Sequence, residues 1–306
     1  MTHRQIAALT IVSIVWGASF LFIRVLVDAG VEPLGVSAGR TVLGLLTLLP
    51  FAWIARAWFP RDRRTWAGLA ALGFFNFAVP WTLFSVGQQY VPSGVGTIAN
   101  SAQPLWAALM MAILIPGERL GRTRVAGLML GFAGVGVLMQ SRASGFDAES
   151  LRGVPLMLLA TVFYAASAVS IRRWFRGVRA LPLTVAQIGF AALYLVPLAV
   201  ATGAYDDASM GWQEWLSLLG LGGAGSGIVV VLYMWLIGQV GPVRAAVVTY
   251  LMPPVGIFLG WLLLDEEVSW PMVAGVILIF AGVAAVQGAG LLKGRAEARR
   301  SANAAT

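Results

Sequence analysis

A nine-residue stretch occurs twice in this chain, and this duplication limits the possible folds more than any other feature. Residues 127–135, GLMLGFAGV, return as GVILIFAGV at residues 275–283, a spacing of 275 − 127 = 148 residues. Other residues keep this spacing: Arg24 with Arg172, Trp16 with Tyr164, Ser19 with Ser167, and Glu118 with Glu266. An internal period of this length indicates two copies of one structural unit rather than a solenoid of short repeats.

The apolar content of the chain indicates that this unit lies in lipid. Hydrophobic residues make up 59% of the sequence and charged residues 11%, whereas soluble domains have about 45–50% and about 25%. A membrane-spanning helix needs about 20 apolar residues, so each copy has room for five. The predicted spans are 5–27, 33–55, 66–89, 92–115, 121–140, 151–172, 181–201, 212–238, 242–264 and 270–290.

The sequence therefore predicts an all-α polytopic membrane protein with ten transmembrane helices arranged as two five-helix repeats. The first repeat covers residues 1–148, the second covers 149–290, and a basic tail follows at 291–306. Because five is an odd number, the second copy enters the membrane inverted relative to the first. Inverted repeats are typical of secondary transporters, whose site lies near the midplane between the halves. The alternative, that duplication is only an economical way to build a helix bundle, stays open.

The distribution of charge predicts the orientation of the chain. Although the net charge of +8 would suit a nucleic-acid partner, most of the 21 basic residues fall on the side of the N-terminus and most of the 13 acids on the other. By the positive-inside rule, both termini are then cytoplasmic. We therefore expect the bilayer and a small-molecule substrate as partners, and no nucleic acid.

Several kinds of chemistry are excluded by the residues that the chain lacks. It has no cysteine, and its single histidine is His3, so we expect no metal site, no cofactor and no enzymatic activity. No Asp or Glu falls in the middle of a predicted span, although proton relays in membranes commonly use such a residue. This absence predicts uncoupled, facilitated transport. The competing interpretation is that Glu118 or Glu266, at helix ends, exchanges protons in one conformation.

Several short motifs follow one another in a recognisable order and form two groups. The first group is Trp16 to Phe20, Ile23-Arg24, Pro33 and Arg40; the second is Pro104, Gly117 to Leu120, Gly127, Gly134, Pro253-Pro254 and Asp265-Glu266. This order resembles that of the drug/metabolite transporter superfamily, in particular its EamA branch. The resemblance implies a ten-helix fold in the bacterial inner membrane, with alternating access, that exports amino acids, as in exporters of the YddG type, or similar small metabolites. A proton-coupled exporter of drugs or other metabolites on the same fold is the alternative.

Arg40 is the basic residue that lies well inside a predicted span. An ionisable group within a membrane is a functional candidate, because burying it without a partner is costly. Arg40 is therefore predicted to meet a substrate carboxylate. Pairing with a helix-end carbonyl, or reaching the interface along its aliphatic stem, is the structural alternative.

Polar side chains next to prolines predict a cavity wall with movable helix ends. Asn100 and Gln103 are three residues apart and share a helix face, and a proline frees a carbonyl one turn back and bends its helix. Similar groups occur at Asn76 and at Tyr250. The predicted hinges are Pro80, Pro104, Pro253 and Pro254. Interhelical hydrogen bonding without substrate contact is the alternative for each polar residue.

Aromatic residues deep in the spans complete the predicted site. Trp16, Trp81, Trp106, Tyr164 and Tyr233 lie away from the helix ends and would suit apolar or aromatic substrates, unless they only pack the bundle. The whole predicted substrate-binding set is Trp16, Arg40, Asn76, Trp81, Asn100, Gln103, Trp106, Tyr164, Tyr233 and Tyr250. The pair Gly127 and Gly131 predicts close helix packing, within the bundle or in a homodimer.

Overall fold

The computed structural model describes residues 1–56, 62–115, 121–139, 150–175, 177–241 and 245–286, and within these ranges the chain is helical without a β-strand. The predicted basic tail 291–306 and Glu118 lie outside the described residues. The α-helices are α1 His3–Asp28, α2 Pro33–Ile54, α3 Arg63–Gly73, α4 Val79–Gln88, α5 Ser93–Asn100, α6 Gln103–Leu114, α7 Arg122–Met139, α8 Ser150–Trp174, α9 Ala180–Ala201, α10 Trp212–Leu218, α11 Val229–Val240, α12 Val248–Leu264 and α13 Trp270–Val286.

The helices have the lengths and surfaces of membrane-spanning segments. Judged by length and composition within the described ranges, seven helical segments could cross a bilayer, and α12 and α13 are shorter apolar helices. Large apolar side chains face outward, and tryptophans at helix ends are the most exposed, with Trp53 at 83% and Trp270 at 85%. Such an exposed apolar surface is stable in lipid, and interfacial tryptophans are common there. The all-helical membrane fold is therefore confirmed, whereas the count of ten crossings stays a prediction.

Three of the long helical segments are irregular near their middle. Residues Phe74–Ala78 form a π-helical turn between α3 and α4, directly before Pro80. Residues Leu219–Ile228, a glycine-rich stretch, are π-helical between α10 and α11. The α-helical pattern also stops at Ser101 and Ala102, so that Pro104 lies at the start of α6. The expected irregularities at Pro80 and Pro104 therefore lie next to these prolines.

The helix that contains Pro253 and Pro254 differs from those at Pro80 and Pro104, and a hinge at these two prolines stays a prediction. Helix α12 runs without interruption through Pro253 and Pro254. The irregular residues are instead Ala246 and Val247, which form a turn directly before α12. Each proline removes one hydrogen bond and leaves a carbonyl free one turn earlier, but the neighbouring hydrogen bonds keep the helix intact.

Helices from the two halves of the sequence pack against each other in corresponding pairs. Helix α1 packs against α12, and the equivalent contact of the second half joins α8 to α5 and α6. Helix α2 packs against the π-helical segment 219–228, and α9 packs against the π-helical turn 74–78. The helices of the two halves therefore alternate around a shared centre, where the irregular segments meet.

The duplicated glycine-rich stretch packs against its own second copy. A Cβ atom added to Gly127 would lie 2.8 Å from the carbonyl oxygen of Gly282 on α13. A Cβ atom added to Gly134 would lie 2.8 Å from the backbone nitrogen of Ile279. This glycine surface therefore joins α7 to α13 within one chain, so a homodimer would need another surface.

Hydrogen bonds join the two halves at the end of the bundle that holds the C-termini of α1 and α12. The carboxylate of Glu266 accepts hydrogen bonds from the Ser93 backbone nitrogen (2.6 Å), the Ser93 hydroxyl (2.9 Å) and the Gly94 backbone nitrogen (3.2 Å). Nearby, the Glu32 nitrogen donates to the Ala204 carbonyl (3.1 Å). Glu266 thus satisfies backbone donors at the start of α5, which the helix itself cannot satisfy.

Replacing Gly134 with alanine should destabilise the protein by about 1–3 kcal/mol, because the new methyl group would overpack the α7–α13 contact. The matched control is Gly136→Ala on the same helix, since no atom lies within 4 Å of a Cβ placed there. Thermal unfolding in detergent should show a lower midpoint for the first variant alone. Equal midpoints would mean that the helices can separate at little cost.

Replacing Glu266 with glutamine should cost about 2 kcal/mol of stability, because the amide has one acceptor oxygen for three donors and no charge. The adjacent Glu267 is exposed, so Glu267→Gln is the control. Chemical unfolding of both variants in detergent gives the comparison. A stability loss of the same size in both would contradict a specific role for Glu266.

Candidate functional site

A cavity of about 240 Å³ lies at the centre of the bundle. Its lining comes from both halves of the sequence: eleven residues before position 149 and seven after it. The lining residues are Trp16, Ser19, Phe20, Ile23, Arg40, Asn76, Phe77, Trp81, Phe84, Asn100, Gln103, Tyr164, Ile188, Gly225, Ser226, Val230, Thr249 and Met252. The cavity is therefore an internal site shared by the two halves, next to the irregular segments of the helices.

Arg40 supplies the positive charge of this cavity. Its Nε atom donates a hydrogen bond to the hydroxyl of Ser226 at 2.8 Å, and that hydroxyl donates to the Leu221 carbonyl at 3.1 Å. The guanidinium group lies over the indole ring of Trp81, 4.0 Å from the ring centroid. A cation–π contact and one charged hydrogen bond hold the group in place.

No carboxylate lines the cavity among the described residues, so Arg40 has no acidic partner there. In the described part of the chain, no group of three or more His, Asp or Glu residues could hold a metal ion. The cavity therefore carries one full positive charge surrounded by neutral polar and aromatic groups. Such a site attracts a negatively charged group of a ligand.

Amide side chains provide the neutral polar groups of the cavity. Asn100 and Gln103 flank the interruption between α5 and α6, so both lie where the helix ends. Asn76, in the π-helical turn, donates to the side-chain oxygen of Gln187 at 2.9 Å. Gln187 donates in turn to the Leu183 carbonyl at 3.1 Å. The Asn76 amide is thus held in position by α9, whereas the Asn100 and Gln103 side chains have no hydrogen-bond partner in the part of the chain that the structure describes.

Aromatic rings form much of the remaining wall. The Trp16 indole nitrogen donates to the carbonyl of Gly225 at 2.9 Å, which fixes the ring against the π-helical segment. Tyr164 stacks on Phe84 with 6.0 Å between ring centroids. These rings give the cavity flat apolar surfaces on more than one side, suited to an apolar or aromatic group.

Of the ten residues predicted for the site, Trp106, Tyr233 and Tyr250 do not line the cavity. Tyr233 packs behind Trp16, with ring centroids 4.9 Å apart. Trp106 packs on Phe132 at 4.6 Å, and Tyr250 on Phe280 at 5.4 Å. The observed contacts of these three residues agree with the alternative interpretation, in which their rings pack the helix bundle.

Two polar residues that hold predicted side chains in place were not themselves predicted. Ser226 accepts a hydrogen bond from Arg40. It lies in the glycine-rich segment 220–227, where a serine does not stand out as a functional residue. Gln187, fully buried, positions Asn76. A single buried glutamine within an apolar span was the available signal, since an unpaired amide in lipid is unfavourable.

A central cavity lined by membrane helices from both halves of the chain is the arrangement expected of a multi-pass membrane transporter. The chain belongs to the EamA-like transporter family, whose model matches residues 4–140 and again residues 151–287. Proteins of this family are transporters, and this chain is therefore not an enzyme.

Curated relatives span almost the whole chain. The probable amino-acid metabolite efflux pump of Escherichia coli (strain K12) is 25% identical over 292 residues, 92% of this chain and 94% of the relative. Protein PecM of Dickeya dadantii (strain 3937) is 25% identical over 294 residues, 92% of this chain and 91% of the relative. A crystal structure with 21% identity aligns with a TM-score of 0.60 over 93% of this chain and 95% of that one, which shows the same fold.

Replacing Asn100 or Gln103 with alanine should raise the KM of transport about tenfold for each residue, the effect of losing one hydrogen bond worth about 1.4 kcal/mol. Tyr250→Phe is the control, because Tyr250 also carries a polar group but lies outside the cavity lining. Initial rates in proteoliposomes at several substrate concentrations give the comparison. An unchanged KM in both alanine variants would remove these amides from the substrate site.

Proposed function

We propose that this protein exports amino acids or similar small metabolites across the bacterial inner membrane by alternating access, without coupling to an ion. One observation carries the proposal: the internal cavity combines Arg40, free amide groups and aromatic walls, and receives residues from both halves of the chain. A carboxylate is the group that amino acids share with many other metabolites. Arg40 would bind that group, and the aromatic wall would accept an apolar side chain.

Alternating access is supported by the correspondence between the two halves. Their helices make equivalent contacts in pairs, and the family model matches twice, at starting positions 151 − 4 = 147 residues apart. Two inverted five-helix repeats around a central site could exchange their roles, so that the site opens first to one side and then to the other. The interruption near Pro104 and the π-helical turns would be the parts that move.

The size of the cavity favours a small metabolite. Its volume of about 240 Å³ is smaller than that of pockets for drug-sized ligands, roughly 300–1,000 Å³. A cationic drug would in addition meet the charge of Arg40 and no carboxylate among the described lining residues. These two properties make multidrug export on the same fold the less supported alternative.

Uncoupled transport is supported by the absence of a proton-accepting residue among the described residues that line the cavity. Of the two acids offered by the competing interpretation, Glu266 is bound to three donors at the start of α5, and Glu118 lies outside the described residues. The relative from Escherichia coli is named an amino-acid metabolite efflux pump, which agrees with the proposed direction and substrates. One chain encloses the cavity, so the proposal does not require a homodimer.

The test is efflux of a labelled amino-acid and metabolite panel from proteoliposomes that contain the purified protein, with equal pH on both sides. We expect saturable efflux of at least one small carboxylate-bearing compound without an ion gradient, and none from protein-free liposomes. Transport that requires a proton gradient would replace the uncoupled mechanism by the proton-coupled alternative. No transport of any panel member under either condition would contradict the proposed function.

A further inference from the structure

We infer that the cavity selects small organic acids that carry one net negative charge and an apolar body, and that it does not require an amino group on the substrate. The carboxylate would bind Arg40, and the body would lie against the aromatic wall. This inference rests on the proposed function, since it names the substrate class of the same cavity.

The Arg40 side chain is held in place but keeps free donors. Ser226 occupies its Nε atom at 2.8 Å, and Trp81 covers one face of the guanidinium plane. Within the described part of the chain, neither of its two terminal nitrogens has a hydrogen-bond acceptor. Neither of them is among the fully buried atoms that lack a partner, so both are accessible. The terminal nitrogens therefore border the cavity. Two parallel N–H groups of a guanidinium match the two oxygens of a carboxylate.

The charge balance of the cavity decides between classes of substrate. An empty cavity carries the single positive charge of Arg40, since no acid lines it among the described residues. A monoanion makes the occupied cavity neutral, a zwitterion leaves it positive, and an organic cation doubles the charge. Because an uncompensated charge away from water is strongly unfavourable, the neutral complex is the most stable of the three.

Neutral groups in the cavity could accept hydrogen bonds from an ammonium group, but they cannot balance its charge. The side-chain oxygens of Asn100 and Gln103 are available, and Pro104 removes the partner of the Asn100 carbonyl. These same groups can bind a hydroxyl or keto oxygen, through the amide nitrogens or oxygens. A 2-hydroxy or 2-oxo acid can therefore form hydrogen bonds with these amides, just as an amino acid can, but it adds no positive charge.

The apolar part of the lining predicts the body of the substrate. Phe20, Phe84, Ile188, Val230 and Met252 contribute apolar surface to a cavity of about 240 Å³. This space suits a branched aliphatic or a single-ring aromatic group, whose transfer from water to an apolar wall is favourable. A second charged group on the substrate would have no partner there among the described residues.

The charge of the substrate also sets the direction of transport, because the membrane potential acts on it. Moving one elementary charge through 100 mV is worth about 2.3 kcal/mol, which corresponds to a concentration ratio of about 50-fold. A bacterial membrane is negative inside, so an uncoupled carrier of monoanions would release them to the outside. Export then needs neither a proton nor a second ion.

The experiment compares three compounds that share one aromatic ring, two of which each differ from the third, phenylalanine, at a single group. These are 3-phenyllactate with a hydroxyl group and one negative charge, phenylalanine as the zwitterion, and phenethylamine as the cation. Proteoliposomes hold a potassium gradient with valinomycin, which sets a potential of about 100 mV, and protein-free liposomes correct for passive leak. We expect phenyllactate to distribute about 50-fold toward the positive side, with a KM at least tenfold below that of phenylalanine.

Variants at Arg40 test the role of its charge. Arg40→Gln should weaken phenyllactate binding at least tenfold, whereas Arg40→Lys, which keeps the charge but not the planar fork, should lose less. Arg24→Gln is the control, because Arg24 lies outside the cavity and pairs with Asp28 at 2.8 Å. A change in tryptophan fluorescence, to which Trp16 and Trp81 in the cavity contribute among the twelve tryptophans of the chain, measures binding without transport. Should Arg40→Gln fail to fold, the comparison of the three compounds on the unchanged protein still decides.

The outcomes separate this inference from the proposed function. Transport of phenylalanine with a lower KM than phenyllactate, and no response to the potential, would overturn the selection of monoanions while keeping amino-acid export. Accumulation of phenyllactate that follows an imposed pH gradient rather than the potential would overturn the uncoupled movement of one charge. No movement of any compound of the series or of the wider metabolite panel would overturn both.

Discussion

In lipid, every backbone N–H and C=O group must find its partner inside the protein. A helix can therefore lose its regular pattern only where neighbouring helices or a polar cavity compensate. In this protein the π-helical turn 74–78, the π-helical segment 219–228 and the interruption at Ser101 and Ala102 all border one cavity. The irregular helices and the binding site are thus consequences of the same constraint, because the irregular backbone brings polar side chains to the centre of the bundle.

Small residues allow the helices of the two halves to alternate. Gly44 and Gly222 lie where α2 meets the π-helical segment, and Gly17 lies where α1 meets α12; at each, a Cβ atom would come within 3 Å of the neighbouring helix. Close approach of this kind gives van der Waals contact without a hydrophobic driving force, which lipid does not supply. The same principle explains the most regular feature of the sequence, the duplicated glycine stretch. That stretch joins α7 to α13, and neither helix contributes a residue to the cavity lining among the described residues.

The helices were predictable because their length and apolarity are visible in the sequence, and within the described residues each predicted span is mostly helical. The position of a residue along a span also indicates its depth in the membrane, and this is why Arg40 and Trp16, which line the cavity, could be predicted from the sequence. Depth does not give the direction that a side chain faces, so Trp106 and Tyr250 were assigned to a cavity that they do not line. Ser226 could not be recognised, because its partner Arg40 is 186 positions away in the chain. Two adjacent prolines favour an interrupted helix, but α12 continues through Pro253 and Pro254, because packing against neighbouring helices can compensate for the lost hydrogen bonds.

If Arg40 binds the substrate as proposed, its unpaired charge would link substrate binding to the movement of the protein. An empty carrier that changed its conformation would move this charge past apolar surface, away from water, and a substrate carboxylate would lower that cost by balancing the charge. A ligand shifts a conformational equilibrium only through its different affinities for the two states. An anion bound at Arg40 would therefore favour the transition, while the contacts of Arg40 with Trp81 and Ser226 would lower the cost of the empty form, so that the carrier could return. A single arginine that has no acidic partner among the described residues could in this way serve recognition and the conformational cycle together.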